Sequence, residues 1–73
     1  MDYGVRDILE YTIALVSDFA KKFNLTDVQA FRYIKAYNGI AFIEENYSII
    51  HTLSFEDAIE NLILFCRRKG GLL

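Results

Sequence analysis

His51 is the only side chain in this 73-residue sequence whose ordinary pKa, roughly 6.5, suits proton transfer near neutral pH. It stands in the stretch Tyr47-Ser48-Ile49-Ile50-His51-Thr52-Leu53-Ser54, beside two hydroxyls, Thr52 and Ser54, that a general base could in principle activate. Nucleophilic catalysis needs a base, a nucleophile and an orienting third group converging in a cleft, and adjacency in sequence supplies none of that convergence. Ser54 is better explained as a helix N-cap, because Glu56 and Asp57 follow it as an acidic first turn. The favoured reading of His51 is therefore a semi-buried histidine whose ring nitrogens bond nearby backbone and tie the segment down. Asp2, Asp7, Glu10 and the other carboxylates fall on solvated faces or first turns, without a paired constellation.

Other chemistries find less. Cys66 lies on the apolar stripe of the last helical pattern, where a thiol is an inert small hydrophobe. One cysteine with one histidine is too few for a structural zinc, so neither metal nor other cofactor is expected. Nucleotide binding would need a glycine-rich cradle, but Gly39 stands alone and Gly70-Gly71 lies at the wrong end of a helix. Helix, glycine-bearing turn, helix is also how a DNA-binding helix-turn-helix reads. Here the second helix would present Ile40-Ala41-Phe42-Ile43-Glu44-Glu45-Asn46, apolar and then acidic, the wrong sign for phosphates.

The elements that must hold these residues are helical. Val5, Ile8, Leu9, Thr12, Ile13, Val16, Phe19, Ala20 and Phe23 recur at three- and four-residue spacing, which predicts a helix over 5–23 with one broad apolar stripe. Tyr11 and Leu15 widen its shoulder, to be covered by two further helices or by another chain. Thr26 with Gln29 forms a capping box, opening a second helix from about Asp27 to Asn38 that buries Ala30, Phe31, Ile34 and Tyr37. Gly39 is expected to take the left-handed conformation that ends it. A short third helix is predicted from Ile40 to Asn46. The β-branched Ile49, Ile50 and Thr52 then argue for an extended connector over 48–53, of the kind that a second chain could extend as an edge strand. The last helix follows Ser54, with Phe55, Ala58, Ile59, Leu62, Phe65 and Cys66 buried and Leu64 stranded on the polar face. The fold class is thus all-α: a single domain over 1–73, a compact bundle of about four helices with an extended connector before the last.

A chain this short exposes much of the surface it would need to bury, and small domains commonly add disulfides, metals or a second chain. This one has no proline and no disulfide, but 53% of its residues are hydrophobic, six Phe and five Tyr among them. Its net charge of −2 argues against nucleic acid and anionic membrane surfaces, and charges interrupt every run that might span a bilayer. Met1-Asp2-Tyr3-Gly4 lacks the basic start of a signal peptide, so a cytoplasmic location is expected. Leu64, the Tyr11–Leu15 shoulder, Leu72-Leu73 and the 48–53 segment all point to exposed apolar or pairing surface. A protein partner, with a homodimer as the simplest form of it, is the expectation.

With Tyr47-Ser48-Ile49-Ile50-His51-Thr52 followed by a serine-capped acidic helix, the chain resembles the small bacterial domain-of-unknown-function family 3791, marked by a Tyr-x-x-Leu/Ile-His-Thr signature. The likeness extends to the aromatic-rich first helix, the Asn24-Leu25-Thr26 restart, Phe31 and the segment from Ile40 to Tyr47. The family has no established activity. Such proteins resemble companions of neighbouring toxin-like genes, some of which look like ADP-ribosyltransferases. That implies an uncharacterised accessory or antitoxin-like interaction module, not an enzyme, with the signature at Tyr47, Ile50, His51 and Thr52 and with Leu64 as candidate contact residues. The alternatives are a helix-turn-helix DNA-binding regulator and an enzyme using His51.

Overall fold

The first helix, α1 (Val5–Lys22), begins with Asp7 in its first turn and ends with Lys21 and Lys22 in its last, each sign suited to the helix dipole. In the computed structural model, which describes residues 4–73, it stops where Asn24 takes a left-handed φ of 56°. The Leu25 N–H then bonds back to the Ala20 carbonyl at 2.8 Å. Met1, Asp2 and Tyr3, on which the reading of the N-terminus partly rests, lie outside the described residues. Only part of the broad apolar stripe faces inward: Thr12, Leu15, Val16, Phe19 and Ala20 are buried. The Tyr11–Leu15 shoulder is on that inner side, with Leu15 fully enclosed, and α3 and α4 cover it. Thr12 joins the apolar core at no polar cost, because its hydroxyl donates to the Ile8 carbonyl at 2.7 Å.

The capping box at Thr26 forms as expected. The Gln29 N–H donates to Thr26 Oγ1 at 3.1 Å, and the Thr26 N–H donates to Gln29 Oε1 at 2.9 Å. It opens α2 (Asp27–Ala36), which ends two residues earlier than the pattern suggests. Asn38, not Gly39, takes the left-handed conformation, with φ of 62°. Gly39 is instead the buried first residue of α3 (Gly39–Ile50). A Cβ there would meet Ile34 Cγ2 at 2.5 Å, the Ile34 carbonyl at 2.9 Å and Cys66 Sγ at 3.1 Å. Glycine is needed at this position for close approach, with backbone handedness supplied by its neighbour.

The expected extended connector over 48–53 is a correction. Ser48, Ile49 and Ile50 complete α3, and residues 51–53 form a tight turn before α4 (Phe55–Arg68); among the described residues there is no strand. The cost of β-branched residues in a helix is only tenths of a kcal/mol each. Burying Ile43, Tyr47 and Ile50, spaced four and three apart on one face, outweighs it. Ser54 Oγ accepts from the Asp57 N–H at 3.1 Å to start α4. After α4, Gly70 turns with φ of 106° and the tail folds back, the Leu73 N–H donating to Tyr33 Oη at 3.3 Å.

All four helices contribute to one apolar core, whose fully enclosed side chains are Leu15, Phe19, Ile34, Ile43, Leu62 and Cys66. No helix among the described residues is long and apolar enough to cross a membrane.

Candidate functional site: an aromatic clasp and an open apolar groove

The signature residues come together at the α3–α4 joint. The Tyr47 carbonyl can only accept, so His51 Nδ1, 2.7 Å away, carries the hydrogen of that bond. The same carbonyl also accepts the His51 backbone N–H at 3.0 Å, and the imidazole stacks on the Tyr47 ring with centroids 4.7 Å apart. Thr52 Oγ1 donates to the Ile49 carbonyl at 2.6 Å. Tyr47 and Ile50 are buried, His51 is half-buried and Thr52 is exposed. From α1, Tyr11 donates its hydroxyl to the Ile50 carbonyl at 3.1 Å and meets Tyr47 and Phe55 edge-on, at 5.3 and 5.5 Å between centroids. Four of the helix-terminal carbonyl bonds thus belong to signature residues or their contacts. The cluster clasps the end of α3 against α1 and α4.

The apolar surface that could serve a ligand lies elsewhere. Val5 is 84% exposed and Ile13 61%, with Leu9 exposed between them on the same edge of α1. Val28 and Phe31 face them from α2, and Phe31, expected in the core, is 43% exposed. The half-buried Tyr33 packs against the core from the same helix, its ring 6.0 Å from Phe19 and 4.9 Å from Tyr37. Between α1 and α2 opens a groove of about 500 Å³ floored by Leu9, Ile13, Val16, Val28 and Phe31. Asp27, Arg32 and Lys35 line it as well. Past Phe31 it continues into a hollow of about 220 Å³ between Val5, Ile8 and Ile40, with Glu44 at the far end. His51 and Leu64 line neither of the two. Leu64 is exposed, as the pattern on α4 predicts.

The titratable groups that shift are buried or half-buried ones. Desolvation pushes the Cys66 thiol up to about 11, leaving it protonated and weakly nucleophilic near neutral pH. Burial also raises Tyr11, with the neighbouring Tyr47 adding to it. Tyr33 rises for the same first reason, partly offset by its bond to Leu73. Among the described residues no group of three or more His, Cys, Asp or Glu side chains is placed to hold a metal ion.

The clasp residues were legible in the sequence, and the groove was not. A signal was present: the stripe on α1 spans too wide an arc for one core-facing edge, and Val28 stands off the buried stripe of α2. Fold and surface together define a small all-α bundle with a clasped α3–α4 joint and an apolar groove open between α1 and α2. The chain belongs to the family described as Protein of unknown function (DUF3791), whose model matches residues 10–69. That span takes in the whole clasp and every groove-lining residue except Val5, Ile8 and Leu9. No curated protein and no solved structure matches the chain.

Proposed function

We propose that this protein is a small cytoplasmic interaction module, an accessory companion of a neighbouring toxin-like protein, and that it works by docking through the α1–α2 groove. The observation that carries the reading is the continuity of Val5, Leu9, Ile13, Val28 and Phe31 as one exposed apolar surface. Single exposed hydrophobes are ordinary, whereas a contiguous grooved patch is where a partner's apolar helix face would lie. The clasp fits this division of labour, since its polar atoms are engaged in closing α3. The acidic Glu44 and Glu45 on the exposed side of α3 lend no support to a helix-turn-helix contact with phosphates.

The test is co-expression with the product of the adjacent gene, followed by titration calorimetry of the purified pair. Binding should weaken about tenfold or more in Ile13→Asp, a loss of at least 1.4 kcal/mol, and stay unchanged in Leu64→Asp. A neighbour product that fails to bind, or that binds Ile13→Asp as tightly as the parent chain, would overturn the reading.

A further inference from the structure

We propose that a second copy of this chain covers the groove, each copy laying the exposed edge of its α1 along α2 of the other. This rests on the groove being a contact surface and goes further by naming the occupant, the one present before any companion binds.

Area makes the first argument. Val5, Leu9, Ile13, Val28 and Phe31 together leave on the order of 500 Å² of apolar surface in one patch, the upper range for a monomer. Two such patches face to face bury about 1,000 Å² from these side chains alone, which reaches the lower bound of a specific interface before any rim residue is counted.

Charge makes the second. Asp27 and Glu44 stand at the two ends of the groove, while Arg32 and Lys35 flank it on α2. The signs balance, so the rim presents no net field to attract a strongly acidic or basic partner. An isologous contact needs a surface that complements itself. Across it, α1 brings Glu10, exposed beside Leu9, toward Arg32 and Lys35 of the second copy. Arg6 Nε donates to Glu10 Oε1 at 3.1 Å in open solvent, which holds Glu10 on the exposed side of α1.

A bundle this small also needs the extra burial. The chain has no disulfide, since its one cysteine is free and buried, and a domain this size buries only about 60% of its unfolded surface. Covering the groove removes a contiguous apolar surface that the fold leaves in water.

Sedimentation equilibrium of the purified chain over a wide concentration range reads the outcome. The parent should be a dimer, and Ile13→Asp and Val28→Asp, one on each helix, should raise the dissociation constant about tenfold or more. Both positions are mostly exposed, and an unchanged helical circular dichroism spectrum would establish that the variants are folded. Leu64→Asp, on α4 and away from the groove, should dimerise like the parent. A parent chain that stays monomeric at the highest concentration overturns the inference, as does a folded Ile13→Asp that dimerises normally. If the parent is monomeric but Ile13→Asp still loses the neighbour product, self-pairing falls and the groove's role in docking survives. If neither measurement responds, both fall.

Discussion

At the end of α3 one carbonyl, that of Tyr47, accepts both the backbone N–H and the ring Nδ1 of His51. The imidazole therefore adds a second donor to a helix-end carbonyl that already accepts a backbone N–H. His51→Ala should lower stability by about 1 kcal/mol, the low end of the roughly 1–3 kcal/mol for orphaning a buried group, because the carbonyl keeps its backbone bond. Tyr11→Phe should cost a similar 0.5–1.5 kcal/mol, roughly, since the Ile50 carbonyl still accepts from the Leu53 N–H at 3.0 Å. Tyr11→Ala also removes two edge-on ring contacts and should cost clearly more. Urea melts of the three variants give the ordering. An unchanged midpoint in His51→Ala would separate the imidazole from the fold.

Among the elements, the contact of α3 with α2 and α4 depends on the absence of one methyl group. Gly39→Ala would push a Cβ against the Ile34 carbonyl, which is backbone and cannot swing away, and against Cys66 Sγ in the core. The expected loss is about 1–3 kcal/mol from overpacking, though alanine is the better helix former. Thr26→Ala removes the hydroxyl half of the capping box on an exposed turn and should cost about 1 kcal/mol without disturbing the core. Thermal unfolding distinguishes the two: Gly39→Ala should also loosen near-ultraviolet aromatic signals, whereas Thr26→Ala should shift only the midpoint. A neutral or stabilising Gly39→Ala would refute the close-packing role.

For the molecule as a whole, a radius of gyration of 11.3 Å matches the roughly 11 Å of a compact folded chain of this length. Three groups in or against that core, the buried Cys66 and the half-buried Tyr11 and Tyr33, hold their protons more tightly than the unfolded chain does. The folded state then binds more protons than the unfolded one once pH passes their ordinary values, so stability must fall as pH rises. For the thiol the window runs from its ordinary 9.0 up to about 11, and the tyrosines extend the loss above 10.0. Denaturant midpoints should be level below this window and decline through it. Cys66→Ala, whatever its constant packing cost, should lose the early part of the decline. A midpoint independent of pH across the window would contradict the burial of these groups.

Helix number, the Thr26 and Ser54 caps and most of the core were legible in the sequence, because apolar period and capping chemistry are local properties that tertiary packing here only reinforces. The all-α class and the clustering of signature residues at a helix joint were legible for the same reason. The end of α3 was misread because β-branching weighs against a helix locally, while the burial of Tyr47 and Ile50 that overrides it depends on α1 and α4. Which half of the α1 stripe lies inside could not be read from α1 at all. Its apolar arc is wide enough for either half, and the choice is made by which helices pack over it. α3 and α4 cover the Tyr11–Leu15 side, while Val5, Leu9 and Ile13 are left facing water. The sequence alone determined the helices and their core, and only the tertiary structure decided where the groove opens, because exposure depends on which surfaces neighbouring helices leave uncovered.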